Sequence, residues 1–99
     1  DNGVPKALQD VAKIRAAYLL VDHGSYDDVS REVEILTDTE NAMRHSAREA
    51  LGLSAFKAGD FTRAKEWMEL IVDDARTPQQ MSTRAQVILD LIIGRSAAS

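Results

Sequence analysis

Residues 51–68, LGLSAFKAGDFTRAKEWM, contain the end of one helical segment, a turn and the beginning of a second helical segment. Gly59 can take the left-handed backbone conformation that ends a helix, and Asp60 is a favourable N-cap for the helix that follows. Gly52 and Ala64 are small at positions where the two helices would cross, and larger side chains there would overpack. The stretch therefore predicts two antiparallel helices whose backbones approach closely.

The pattern of this stretch recurs along the chain with a period of 35 residues. Three glycines stand 35 residues apart, and each lies at a predicted helix end: Gly24, Gly59 and Gly94. The same offset aligns Tyr26 with Phe61 and Val33 with Met68, so that apolar positions match apolar positions. Self-similarity at this spacing is typical of proteins built from repeated helix pairs.

Five segments of the chain carry helical periodicity between recognisable helix boundaries. They cover about residues 5–23, 25–36, 42–58, a fourth segment from residue 60, and residues 77–95. Ser25 and Asp28 form a capping-box pair, and Thr77 is placed as an N-cap before Pro78 in the first turn. The run VILDLII at residues 87–93 resembles a strand by itself, but the helix signals on both sides predict a helix that Gly94 closes, with a frayed tail at residues 96–99.

The chain of 99 residues is long enough for one domain with one core. We predict an all-α fold of about two and a half repeats, made of five helices in an antiparallel, right-handed α-solenoid. Repeat one covers residues 4–38, repeat two covers residues 39–75, and residues 77–95 form a terminal helix. Because the chain begins with Asp1 and not with Met, we expect it to be part of a longer protein.

The repeat resembles the tetratricopeptide repeat, with Leu51 and Gly52, the turn at Gly59 and Phe61, and Ala64 at the matching places. Two stretches, KALQDVAKIRAAYLLVDHGSYDDV and SAREALGLSAFKAGDFTRAKEWMELIVDD, also resemble a bacterial family of tetratricopeptide-like proteins related to the ancillary subunit of the Sec translocon. This resemblance implies a membrane-anchored protein with this domain on the periplasmic side and a role in translocation or folding of secreted proteins. The carboxylate clamp of some tetratricopeptide proteins is absent, since the corresponding places hold Ile14, Tyr18, Glu49 and Leu53.

Composition and motifs argue against several classes of function. The net charge is −4 with interspersed signs, and the absence of a basic patch argues against a nucleic-acid partner. No apolar run is long enough to span a bilayer, so we expect no direct membrane contact from these residues. Cysteine is absent, His45 has Glu49 alone at i+4, which is too few ligands for a metal site, and no phosphate loop or nucleophile motif is present. We therefore predict no metal site, no cofactor and no catalytic activity.

The prediction that remains is a non-catalytic protein–protein interaction domain with a protein or peptide partner. By the register of the resembled family, the first helix of each pair presents the partner-binding residues, which we predict to be Tyr18, Asp22, Glu49, Lys57 and Arg84. Trp67 is predicted to pack in the core or between repeats. The alternative is a structural domain that forms a homo-oligomer through the terminal helix, because a terminal repeat helix normally has a polar outer face and the run at residues 87–93 is apolar.

Overall fold

A computed structural model describes the backbone of residues 3–98 and the side chains of residues 3–95. Within these residues the chain forms five α-helices and one short 3₁₀ turn, and no strand. The helices are α1 (Lys6–His23), α2 (Tyr26–Val33), α3 (Arg44–Lys57), α4 (Phe61–Asp73) and α5 (Gln79–Ala98), and the 3₁₀ turn Glu34–Leu36 follows α2. The predicted all-α class with five helices is thereby confirmed.

Two of the predicted helix starts have the expected capping hydrogen bonds. The backbone N–H of Asp28 donates to the Ser25 hydroxyl over 3.1 Å, and the Ser25 N–H donates to the Asp28 carboxylate over 2.9 Å. Asp60 accepts a hydrogen bond from the Arg63 N–H at the start of α4. The residue before it, Gly59, has a φ of 81°, the left-handed conformation that an L side chain rarely adopts.

Gly24 ends α1 as predicted, but in an extended conformation with a φ of −126°, and a Cβ there would lie 2.8 Å from the Asp28 carboxylate. Two predicted boundaries differ from the structure. Thr77 does not cap α5, since its hydroxyl donates instead to the Ile71 carbonyl over 2.7 Å. Gly94 does not end α5, which continues to Ala98 through the predicted frayed tail, and Ser99 lies outside the described residues.

Helices that follow one another along the chain pack side by side. Helix α1 contacts α2 and α3, α3 has its most extensive contact with α4, and α4 contacts α5. The described chain measures 52 × 30 × 18 Å along its principal axes. Between these helices lie three clusters of buried side chains, centred on Val33 and Leu51, on Met68 and Leu89, and on Ala64.

The crossing of α3 and α4 depends on a residue without a side chain. Gly52 is buried, and a Cβ at this position would lie 2.7 Å from Cε of Met68 and 3.2 Å from Cβ of Trp67. Both distances are shorter than ordinary van der Waals contacts. Ala64 on the opposite helix is also fully buried. The close approach predicted from Gly52 and Ala64 is present, and it positions the helix face described next.

Candidate functional site

Three of the five predicted partner-binding residues meet on the face that α1, α3 and α5 form, which we call the front face. The Tyr18 hydroxyl on α1 donates to Oε1 of Glu49 on α3 over 2.6 Å. From α5, Arg84 donates to both oxygens of the same carboxylate, from Nε to Oε2 over 2.9 Å and from Nη2 to Oε1 over 3.2 Å. One carboxylate thus connects three helices.

Glu49 is the buried member of this triad and Arg84 its exposed member. The Glu49 side chain is 7% exposed, whereas that of Arg84 is 56% exposed. Burial, and then the hydrogen bond to Glu49, raise the pKa of Tyr18 well above its ordinary value, so that the phenol remains a donor at neutral pH. Substitution of Tyr18 or Arg84 would leave the buried Glu49 carboxylate with fewer hydrogen-bond partners, which is unfavourable. Glu49, which was predicted as a partner-binding residue, is thus largely buried, and its carboxylate is held beside the exposed Arg84.

The other two predicted residues also pair, at a more exposed place on the front face. The Lys57 ammonium donates to the backbone carbonyl of Asp22 over 3.1 Å and lies 3.5 Å from its carboxylate. Both side chains are more than half exposed. Pairs of this kind contribute little to stability. Asp22 and Lys57 therefore join α1 to α3 loosely and remain accessible.

An apolar groove of about 460 Å³ lies beside the triad, and we call it the front groove. Its apolar wall consists of Leu53 on α3, Met68 on α4 and, on α5, Ala85, Val87 and Ile88. Tyr18, Glu49 and Arg84 form its polar edge. The volume falls within the range of about 300–1,000 Å³ that is usual for small-ligand sites. All the polar groups of the groove are thus held on one side by the triad.

Sequence reasoning missed a second cluster of charges, located where α3 begins. Arg44 donates from Nε to Oδ2 of Asp74 over 2.6 Å, and Arg48 donates from Nη1 to the same oxygen over 3.0 Å. These hydrogen bonds, with one from the backbone N–H of Arg76, hold the pKa of Asp74 well below its usual value. In the sequence, the available signal was a pair of arginines four positions apart, which places both on the same side of a helix.

The back face, formed by α2 and α4, has a groove of similar volume with a polar lining. Trp67 is half-buried and packs against the first core cluster, and its Nε1 donates to the Tyr26 hydroxyl over 2.7 Å. The predicted packing role of Trp67 is confirmed. The Arg63 guanidinium covers the Tyr26 ring at 4.4 Å, so a side chain of the protein itself already occupies the aromatic surface on this side.

Within residues 3–98, no three histidine, aspartate or glutamate side chains lie close enough together to hold a metal ion. No described helix is both long enough and apolar enough to cross a membrane. Comparisons of the chain with models of known protein families, with curated proteins and with solved structures found no match in any of the three. The resemblance to the bacterial tetratricopeptide-like family therefore stays a prediction from the quoted stretches.

Proposed function

We propose that the chain is a non-catalytic protein-interaction domain of the tetratricopeptide-like kind, with about two and a half repeats in a right-handed array. Its front groove binds an amphipathic segment of a partner protein. The observation that carries the proposal is an apolar groove whose only polar groups are fixed along one edge by the Tyr18–Glu49–Arg84 triad. The 35-residue period of the sequence, which matches the order of the helix pairs, supports the repeat assignment.

Four side chains of α5, three of which line the groove, follow the spacing of a helical interface. Arg84, Val87, Ile88 and Leu91 stand at positions i, i+3, i+4 and i+7, so they lie along one side of α5. Val87 is 52% exposed and Leu91 is 47% exposed. An apolar side chain of a partner would cover this surface, in the way that amphipathic helices bind grooves. Because the triad already holds Arg84, little side-chain entropy is lost on binding.

The proposal extends to the cellular setting through the resembled family. In that setting the domain belongs to a membrane-anchored bacterial envelope protein, lies on the periplasmic side of the inner membrane, and assists translocation or folding of secreted proteins. A longer chain of this protein should then contain an upstream span of about 20 apolar residues. A phosphatase reporter fused after residue 99 should be active on the periplasmic side, and activity of a cytoplasmic reporter at this position would contradict this setting.

Binding at the front groove can be tested by substituting exposed residues that contribute little to the stability of the fold. Tyr18 and Arg84 are unsuitable because their substitution also disturbs buried Glu49. Val87→Glu places a charge in the groove, whereas Ile93→Glu places the same charge on α5 at a residue that is 63% exposed and does not line the groove. The probe is a fluorescein-labelled amphipathic peptide of about 18 residues with leucines at i, i+3, i+4 and i+7.

We expect the peptide to bind the wild-type domain and the Ile93→Glu variant with similar affinity in fluorescence anisotropy. Val87→Glu should weaken binding about tenfold or more, because a desolvated carboxylate without a partner opposes burial of the peptide. Melting temperatures of both variants should stay near the wild-type value, which shows that the fold is retained. Equal loss of affinity in the two variants, or no binding to the wild type, would contradict the proposal.

The exposed apolar residues of α5 also favour a second candidate function, a structural domain that forms a homo-oligomer through this helix. Val87, Leu91 and Ile93 are each about half exposed or more, whereas a terminal repeat helix normally has a polar outer face. Sedimentation velocity over a wide concentration range distinguishes the two functions. A concentration-dependent dimer that Ile93→Glu or Val87→Glu abolishes supports the oligomer, and a monomer at every concentration rejects it.

A further inference from the structure

Charge is distributed unequally between the two helix layers. The helices of the front face, α1, α3 and α5, contain eight lysine or arginine residues and four aspartate or glutamate residues. On the back face, α2, the 3₁₀ turn and α4 together contain three basic and seven acidic residues. The front layer is thus net positive, although the whole chain has a net charge of −4. Two of the front-layer arginines, Arg44 and Arg48, are buried and paired with Asp74, so the exposed positive charge of this layer comes from its other lysines and arginines.

The same asymmetry is present at the front groove itself. The Glu49 carboxylate is buried below the Arg84 guanidinium, so this ion pair presents its positive end to the groove. Arg84 uses Nε and Nη2 for Glu49, and its Nη1 donates to no other protein atom within the described residues. Arg15 is exposed and lies one helical turn before Tyr18 on the same side of α1. Arg84 therefore lines the groove with a cationic group, and Arg15 adds a second such group one helical turn from Tyr18 at the polar edge.

We propose that the segment bound by the front groove is acidic as well as amphipathic, with carboxylates placed beside its apolar side chains. This inference rests on the proposed function and names the chemistry of the partner. A carboxylate beside Arg84 accepts a charge-assisted hydrogen bond from Nη1, which is stronger than a bond between neutral groups. A basic segment would place its charges near Arg15 and Arg84, and like charges at an interface are unfavourable.

The nearby pair of Asp22 and Lys57 does not alter this conclusion. Its two charges are opposite and both side chains are exposed, so its net contribution to the potential at the groove is small. The back face, which is net negative, would instead attract basic segments, but there Arg63 already covers the aromatic ring of Tyr26. An apolar surface and positive charge therefore occur together at the front groove.

Two labelled peptides test the inference. They share the leucine positions of the probe above and differ only in the flanking residues, which are glutamates in one peptide and lysines in the other. Anisotropy titrations at low and at physiological salt give the dissociation constants. We expect the glutamate peptide to bind about tenfold more tightly at low salt, with a smaller ratio at higher salt because ions screen the charges.

A matched pair of variants locates the effect. Arg15→Glu and Lys65→Glu each change the net charge by the same amount, but Arg15 lies one helical turn from Tyr18 at the polar edge of the front groove, whereas Lys65 lies exposed on α4 at the back. We expect Arg15→Glu to raise the dissociation constant of the glutamate peptide about fivefold, and Lys65→Glu to change it less than twofold. Melting curves of both variants confirm that the fold is retained.

Each outcome of these titrations has a definite meaning. Tighter binding of the glutamate peptide that depends on Arg15 and not on Lys65 supports the inference. Equal or tighter binding of the lysine peptide, or equal effects of the two variants, overturns the acidic partner while the proposed function stands. If neither peptide binds the wild-type domain, the proposed function and the inference both fail.

Discussion

The phenolic oxygen of Tyr18 lies 2.6 Å from Oε1 of Glu49, and this hydrogen bond joins α1 to α3 across 31 positions of the chain. Arg84 on α5 completes the coordination of the same buried carboxylate. Residues that were predicted as a binding surface are therefore also part of what holds three helices together. The polar edge of the front groove is rigid for this reason, and the stability of the domain and the geometry of the groove depend on the same contacts.

The first prediction compares two tyrosines that each make one long-range hydrogen bond. Tyr18→Phe removes the donor to a buried carboxylate and should lower the free energy of unfolding by about 1.5–3 kcal/mol, the range for bonds to charged groups. Tyr26→Phe removes a neutral acceptor from half-buried Trp67 and should cost about 0.5–1.5 kcal/mol. Urea unfolding monitored by circular dichroism measures both. A larger loss at Tyr26 than at Tyr18 would refute the structural role assigned to the triad.

The second prediction concerns two glycines that both lie within helices. Gly52→Leu should destabilise the domain by about 1–3 kcal/mol or more, because the side chain would collide with Met68 and Trp67 at the α3–α4 crossing. Gly94→Ala should stabilise it by about 0.5–1 kcal/mol, because alanine is the better helix former and no atom lies within 4 Å of the new Cβ. Denaturant midpoints report both effects, and a stabilising Gly52→Leu would disprove the close crossing.

The third prediction concerns pH and the Asp74 carboxylate. Its pKa is held below the ordinary value of 3.8 by hydrogen bonds, of which the one from Arg44 has the largest effect. The lowered pKa means that Asp74 contributes stability fully above about pH 3.8 and loses it as the pH falls through the folded-state pKa. Asp74→Asn should therefore be less stable than wild type at pH 7, and the difference should shrink as the pH falls below 3.8.

The neighbouring carboxylate provides the control for this experiment. Asp73 is exposed and its side chain makes no hydrogen bond within the described residues, so Asp73→Asn should have much less effect on stability than Asp74→Asn. Urea unfolding at a series of pH values between 7 and 2 gives the comparison. A constant difference between wild type and Asp74→Asn across the series would show that the Asp74 charge does not account for its contribution.

Much of the fold was predictable from local sequence patterns. Ser25 and Asp60 mark helix starts because their side chains can bond the free N–H groups of the first turn wherever the helix lies. Gly59 marks a helix end because a left-handed φ disfavours most other residues. Gly52 and Ala64 mark a crossing because two helix backbones approach closely only over small residues. Each of these signals acts over a few residues, so one sequence is enough to read it.

The sequence-based predictions failed, or missed a contact, mainly at residues whose partner is distant along the chain. Threonine is a favourable N-cap residue, but the Thr77 hydroxyl donates to the Ile71 carbonyl at the end of α4 and not to the start of α5. Asp74 accepts one local hydrogen bond from the Arg76 N–H, but its charged partners Arg44 and Arg48 are 30 and 26 positions away. Gly94 lies within α5, and no other atom is within 4 Å of the place where its Cβ would be. A glycine is therefore not required there by the packing, and the helix continues through it.

By itself, the sequence determined the helices, most of their boundaries and the 35-residue spacing of its glycines, and it singled out Tyr18, Glu49 and Arg84 as candidate partner-binding residues. Only the tertiary structure decided that Glu49 is buried while Arg84 remains exposed, and that the three side chains meet at one carboxylate. The physical reason is that helix propensity, capping and periodicity depend on neighbours in the chain. The depth of a charge and the identity of its partners depend instead on how separate helices pack.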